Sequence, residues 1–370
     1  MKKKIMFVLG TRPEAIKVAP VIRKFLNDDT FETIVVATGQ HREMLDQVLG
    51  FFDVTPDEDL SLMVPNQTLP ELTAKALAGC SKVISKYQPD LVIVQGDTST
   101  AFAAGLAGFL SGVAVGHIEA GLRSGRMDSP FPEEANRVLI GRLASFHFAP
   151  TPGAAENLRK EGLEGGLHEV GNTVVDALLL GLEMIKEQGE DAFYGKFEQV
   201  RFDRPMVLLT IHRRESFGEP LVKICSAILR IAKAHPDKEL VYPVHPNPNV
   251  REVVNEMLSG IENIKLLEPL EYSDFIWMMS KASLILTDSG GVQEEAPTLG
   301  IPVMVAREVT ERSEGVDAGA AFMVGADPDL IVETADRLLK LGEEERAGIV
   351  NPYGDGKTSE RILSIVKASL

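Results

Sequence analysis

Residues 5–14 read Ile5-Met-Phe-Val-Leu9 and then Gly10-Thr-Arg-Pro-Glu14. Five consecutive apolar residues, without the alternation of a half-exposed strand, mark a strand buried on both faces, as in a parallel sheet. The polar turn then feeds an apolar spacing over 13–26 that predicts a helix, with a kink or a break expected at Pro20. Strand, polar turn and helix make one βα unit, and the pattern recurs. Predicted strands cover 33–38, 91–95, 114–118 and 146–149 in the first half, and 207–211, 240–244, 264–267, 284–287 and 303–305 in the second. Helical patterns at 69–86, 133–143, 221–234 and 328–341 lie among them. This alternation predicts a doubly wound α/β protein with parallel sheets.

A length of 370 residues suits two domains. The glycine-rich segment 162–171 is the expected junction, giving a first domain over 1–170 and a second over 171–352, with a further break at 351–356 before a final helical stretch at 359–369. A net charge of -16 argues against a nucleic-acid partner. Lys2, Lys3 and Lys4 before residues 5–9 imitate a signal peptide, but the apolar run ends at Gly10, too soon for one. No run approaches roughly 18 uninterrupted apolar residues, so no membrane span is expected. Cys80 and Cys225, far apart and at no ligand spacing, are expected to be reduced thiols of a cytoplasmic protein. No metal site is expected either, because no paired-histidine or Cys/His cluster occurs. His147, His168 and His235 are read as structural.

The chemically unusual residues follow the strands. Gly10-Thr-Arg-Pro-Glu14, Gly39-Gln-His41 and Gly96-Asp97-Thr98 come after strands of the first half, and His117-Ile-Glu119 ends the next. His212-Arg-Arg214, His245-Pro-Asn247 and Asp288-Ser-Gly-Gly291 come after strands of the second. Carboxyl ends of parallel strands are where open α/β sheets take ligands. Asp288-Ser-Gly-Gly291 opens a helix, where free N–H groups attract phosphate; a plain tight turn with acidic capping by Glu294 and Glu295 is the other reading. Arg12, Lys17 and Arg312 suit phosphate binding or surface ion pairs. Asp97, Glu119 and Glu133 can divide acid and base work, or can serve as caps and ion pairs, for instance Glu133 with Arg137. His212 beside Arg213 and Arg214 suits a departing phosphate, or is a turn histidine. No G-x-G-x-x-G follows a strand, so a nicotinamide cofactor is not expected.

Together these motifs resemble the non-hydrolysing UDP-N-acetylglucosamine 2-epimerases. The resemblance runs through Gly10–Glu14, Gln95–Thr98, Glu119-Ala-Gly-Leu-Arg-Ser124, Pro132-Glu-Glu-Ala-Asn-Arg137, His212–Ser216, Asp288-Ser-Gly-Gly-Val-Gln-Glu-Glu295 and Thr310-Glu-Arg312. It implies a GT-B fold, two Rossmann-like doubly wound domains facing across a cleft, with residues 353–370 packing back on the first domain. It also implies a homodimer, no cofactor, and reversible inversion at C2 between UDP-N-acetylglucosamine and UDP-N-acetylmannosamine for envelope polysaccharide. By similarity Asp97, Glu119 and Glu133 transfer protons, and Arg137 orients Glu133. Arg12, Lys17, His212, Ser289, Gly290, Gly291 and Arg312 touch the diphosphate or sugar. Glu295 takes the ribose, and Phe275 and Leu270 lie near uracil, Leu270 replacing a Gln of some relatives. Many bacterial members bind a second UDP-N-acetylglucosamine as an activator. Gln40, Gln67, Arg213 and His245 match that site, whereas Glu43 and Asn66 replace Gln and Arg. A glycosyltransferase of the same fold, a hydrolysing epimerase and a silent nucleotide-sugar sensor are the competing expectations.

Overall fold

The computed structural model describes residues 2–39, 42–64 and 66–370, without the side chains of Arg42, Glu43 and Glu343. The first sheet contains β1 (Lys3–Leu9), β2 (Phe31–Ala37), β3 (Glu58–Asp59), β4 (Leu91–Gln95), β5 (Ala114–Ile118), β6 (Phe146–Ala149) and β7 (Leu167–Glu169), in spatial order β3-β2-β1-β4-β5-β6-β7. The second contains β8 (Met206–Thr210), β9 (Glu239–Pro243), β10 (Ile264–Leu267), β11 (Ala282–Thr287), β12 (Val303–Val305) and β13 (Ala321–Met323), in order β10-β9-β8-β11-β12-β13. All the described pairings are parallel.

The apolar runs become the sheet centres because they are covered on both faces. Residues Ile5 to Leu9 of β1 and all of β4 are buried, as is all of β8. Strand order reverses between β1 and β4 in one sheet and between β8 and β11 in the other. At such switch points the following loops diverge to opposite faces and leave room for a ligand. The expected clusters sit there: Gly10–Glu14 and Gly96–Thr98 in one sheet, His212 and Asp288–Gly291 in the other.

The helix Arg12–Leu26 runs unbroken through Pro20. The ring removes one hydrogen bond at a cost of about 3 kcal/mol. Val18, Val21, Ile22 and Phe25 are buried on either side of it, and large side chains contribute roughly 1.5–3 kcal/mol each, so packing holds the helix continuous. The edge strands β3, β7 and β13 lay outside the sequence expectation. They have two or three residues each, too few to carry a periodicity.

By its contacts the chain forms two compact units, residues 1–180 with 353–370, and residues 181–352. The expected junction near 170 therefore differs from the contact division, which falls inside the helix Thr173–Gln188. The start of that helix stays with the first unit for two reasons. Val174 and Val175 bury together with Tyr353. The Asp176 carboxylate accepts the N–H groups of Thr358 (3.2 Å) and Ser359 (2.7 Å), capping the final helix Thr358–Ser369 in place of a local side chain. Lys367 adds a 2.9 Å ion pair to Asp28. Among the described residues no helix is long and apolar enough to cross a membrane.

Candidate active site

In the first unit the carboxyl ends of β1, β4 and β5 carry one polar cluster. Glu119 directly follows β5 and is buried at φ +66°, a left-handed conformation uncommon for a residue with a side chain. Such strain, of order 1–3 kcal/mol, persists where surrounding contacts over-determine it, and it concentrates at functional sites. The contacts here are specific. Lys17 Nζ lies 2.6 Å from Glu119 Oε1, and Gln95 Nε2 donates to Oε2. Lys17 comes from the first turns of the helix after β1, and Gln95 ends β4.

Asp97 stands one turn away, on the loop after β4. Arg137 Nη2 donates to its carboxylate, and Asn136 Nδ2 holds its carbonyl at 2.8 Å. Burial raises the Asp97 pKa above the ordinary aspartate range; Arg137 opposes this, Glu119 adds to it, and Lys17 opposes it. Asp97, Glu119, Lys17 and Arg137 thus share one electrostatic neighbourhood. Glu133 begins the helix Glu133–Leu143 and is half-buried; among the described residues its carboxylate has no hydrogen-bonded or ion-paired partner. Arg137 faces Asp97 and, at 3.4 Å, Glu134, so the expected Glu133–Arg137 pair is replaced by these two. Glu134 is buried and accepts the N–H groups of Ser124 (3.0 Å) and Gly125 (3.1 Å). Arg12 is half-buried in the first turn of its helix.

In the second unit the organising group is the Asp288 carboxylate, fully buried after β11. It accepts the N–H groups of His212 (2.9 Å) and Arg213 (2.8 Å) and the Ser216 hydroxyl (2.8 Å). His212 Nδ1 is also 3.4 Å from it, and the His212 ring stacks on that of His245 with centroids 5.7 Å apart. Burial lowers the His212 pKa, against the raising effect of Asp288, which keeps the ring neutral near pH 7. Ser289 donates its N–H to Thr287 Oγ1 at 2.9 Å. Gly290 and Gly291 open the helix Gly290–Glu295, whose first N–H groups have no acceptor within a helix. Arg312 lies against Gly290: a β-carbon there would stand 3.4 Å from its guanidinium carbon. Arg312 is held by Glu294 at 2.9 Å, and its neighbour Thr310 by Gln293 at 2.7 Å. Glu295 is buried on the same short helix. Leu270 and Phe275 are half-buried where β10 leads into the helix Tyr272–Ser280.

The residues matched to an activator divide differently. Gln40 and the side chain of Glu43 lie outside the described residues. Gln67 belongs to the first unit, with a buried Nε2 that has no partner among the described residues, while Arg213 and His245 belong to the second. Several residues that shape the clusters carried no sequence expectation of a role: Glu14, Gln95, His117, Glu134 and Asn136. For Glu14 the Thr11-x-x-Glu14 spacing is a capping-box signature that flags it; the others act across distances that spacing along the chain cannot reveal.

Residues 23–367 match the family described as UDP-N-acetylglucosamine 2-epimerase. The chain is 50% identical over 371 residues to a probable UDP-N-acetylglucosamine 2-epimerase of Ralstonia nicotianae, covering 99% of each. It is 48% identical over 369 residues to the UDP-N-acetylglucosamine 2-epimerase of Escherichia coli K12, covering 98% of each. The crystal structure of UDP-GlcNAc 2-epimerase from Neisseria meningitidis bound to UDP-GlcNAc is similar at 44% identity with a TM-score of 0.89, covering 99% of this chain and 100% of that one. A glycosyltransferase of kitacinnamycin, at 13% identity and a TM-score of 0.69, shares the GT-B architecture of two parallel-sheet domains. Its near-complete match to the family and its high identity to these relatives place the chain in the UDP-N-acetylglucosamine 2-epimerase family.

Proposed function

We propose that this protein interconverts UDP-N-acetylglucosamine and UDP-N-acetylmannosamine without net hydrolysis. The observation that carries the reading is the grouping of Asp97 and Glu119 with Lys17 and Arg137 at the ends of neighbouring strands, in a chain nearly half identical to named epimerases. The C2 proton of the sugar is not α to a carbonyl and is weakly acidic. Its removal therefore accompanies loss of the anomeric substituent. A carboxylate takes the C2 proton, the C–H electron pair becomes the C1–C2 double bond, and the C1–O pair leaves with UDP. The intermediate is 2-acetamidoglucal. A carboxyl group then delivers a proton to the opposite face of C2, and UDP re-forms the bond at C1.

Asp97, Glu119 and Glu133 divide this proton traffic. The raised pKa of Asp97 brings it closer to the range in which a group both takes and returns a proton. Lys17 and Gln95 fix Glu119, and Arg137 fixes Asp97. UDP must stay bound between the two half-reactions. Ser289, Gly290, Gly291, Arg312, His212 and Arg12 are assigned to its diphosphate or to the sugar, Glu295 to the ribose, and Leu270 and Phe275 to the uracil. The His212 ring, its Nδ1 side facing Asp288, stabilises the departing phosphate. Residues 1–170 with 353–370 supply the carboxylates, and residues 171–352 the UDP site. Gln40, Glu43, Gln67, Arg213 and His245 contribute to a second, activating UDP-N-acetylglucosamine site. The enzyme works in the cytoplasm, its product feeds envelope polysaccharide, and it acts as a homodimer, for which exposed Phe109, Leu110 and Leu139 on two helices that pack together offer an apolar face.

The test is incubation with UDP-N-acetylglucosamine in D2O without an acceptor, followed by proton NMR. Epimerisation gives UDP-N-acetylmannosamine with deuterium at C2 and little free UDP. Accumulation of UDP with free sugar would instead establish hydrolysis, and a C2 position that keeps its proton would refute the reading.

A further inference from the structure

Glu14 lies outside every role assigned above, yet its carboxylate is enclosed beside the first-unit cluster. It is 2% exposed. One oxygen, Oε2, accepts Gly10 N–H at 3.0 Å, Thr11 N–H at 2.7 Å and the Thr11 hydroxyl at 2.7 Å. The other, Oε1, accepts the Thr98 hydroxyl at 2.7 Å, from a residue 84 positions away. An ordinary capping box needs only the local half of this arrangement. The remote half reaches the residue next to Asp97. Thr98 is itself the N-cap of the helix Ser99–Leu110, accepting Ala101 N–H at 3.0 Å.

We propose that Glu14 is a positioning residue that fixes the spacing between the turn bearing Arg12 and the turn bearing Asp97. The proposal rests on the epimerase reading and deepens it. The two turns follow β1 and β4, the strands that meet at the switch point of the first sheet. A carboxylate that accepts donors of one turn on Oε2 and of the other on Oε1 holds both turns to one point. The arrangement has a second consequence. The N–H groups of Gly10 and Thr11, which start the helix Arg12–Leu26 and would otherwise attract an anion, are already occupied by Glu14. Those two N–H groups are therefore closed to an anionic substrate group, and the half-buried Arg12 side chain is the cation this turn offers. Displacements of about 1 Å at reacting groups cost on the order of 100-fold in rate, so loss of this strut is read in turnover more than in substrate affinity.

The experiment compares wild type with Thr98→Val, Thr98→Ser, Glu14→Ala and the Glu14→Ala/Thr98→Val double variant. It measures kcat, KM, the urea midpoint, and amide hydrogen exchange of peptides covering 9–12 and 96–102. Thr98→Val removes the remote hydroxyl, and with it the cap on Ala101 N–H, but leaves the Thr11–Glu14 capping box in place, so exchange in 9–12 is the readout that a lost helix cap alone does not move. The expected result is a fall in kcat of about 10- to 100-fold with KM within about twofold, restoration by Thr98→Ser, and faster exchange in 9–12 as well as in 96–102. The loss in the double variant should fall well short of the product of the two single losses, because both changes cut the same link. Should Glu14→Ala fail to fold, Thr98→Val and Thr98→Ser still decide the question. A Thr98→Val enzyme with wild-type kcat, or faster exchange confined to 96–102, would reduce Glu14 to a local cap and overturn the proposal. If wild type itself shows no epimerisation, the functional reading fails, and the exchange data still decide whether Glu14 couples the two turns.

Discussion

Glu119 is the most constrained of the candidate acid–base residues. A side chain at φ +66°, with both oxygens engaged by Lys17 and Gln95, is held for a purpose that packing alone does not supply. Replacing it with Gln keeps the shape and removes the capacity to exchange a proton. We expect kcat to fall by at least about 100-fold with folding retained, and Asp97→Asn to behave alike; steady-state kinetics alongside circular dichroism check both. His117 makes a separate prediction. Its Nε2 lies 2.7 Å from the Gly96 carbonyl, and burial lowers its pKa from 6.5 to about 4. As pH falls, the unfolded chain binds this proton before the folded one does. The stabilisation is therefore full above about 6.5 and is lost progressively as pH falls towards 4, roughly 2 kcal/mol of it between pH 7 and pH 5. His147 and Arg123 oppose its protonation and Glu119 favours it. His117→Gln, which can still donate to Gly96, should flatten the pH dependence of the urea midpoint over that interval; an unchanged slope would contradict the assignment.

At the scale of elements, the placement of Glu119 depends on how the loop after β5 meets the helix Pro152–Lys160. Gly121 has φ +91°, and a β-carbon on it would stand 2.2 Å from the Ala154 carbonyl oxygen. Gly121→Ala must adopt a disfavoured conformation and also push that helix away, a combined cost of about 2–4 kcal/mol. The urea midpoint should fall accordingly, and turnover per folded molecule should fall with it, because Glu119 lies two residues away. What the sequence disclosed follows the same physics. Central strands such as β1, β4 and β8 were legible because burial on both faces demands unbroken apolar runs. Edge strands β3, β7 and β13 were not, because they are short and partly exposed. The candidate residues Asp97, Glu119 and Ser289 were legible because they follow strands. Partners such as Gln95 with Glu119, or Arg137 with Asp97 in place of Glu133, were not, since tertiary packing alone chooses among nearby donors.

For the whole molecule, the consequential feature is that the last residues complete the first unit. The helix Thr358–Ser369 is capped by Asp176 and paired to Asp28 through Lys367. A chain ended after Pro352 leaves the Asp176 carboxylate buried without these donors and uncovers Val174 and Val175. We expect the first unit to unfold at lower urea, followed by hydrogen exchange of peptides from β1 and β4. The sole tryptophan, Trp277, is buried in the second unit among Phe193, Tyr194, Phe197 and Phe202. Its fluorescence transition should stay nearly where it is. Equal shifts of both probes would show instead that the final helix stabilises the chain as a whole.

The central claim is that inversion at C2 proceeds by breaking the C1–O bond and keeping UDP bound until it re-forms. Substrate carrying 18O in the bridge between C1 and the β-phosphorus tests it directly, with the label followed by 31P NMR as epimerisation approaches equilibrium. With cleavage, label moves from the bridge to the non-bridging β-phosphate positions at a rate comparable with C2 inversion. Inversion with deuterium uptake at C2, the label still in the bridge and no 2-acetamidoglucal or UDP detectable on acid quenching at saturating enzyme would contradict the elimination mechanism.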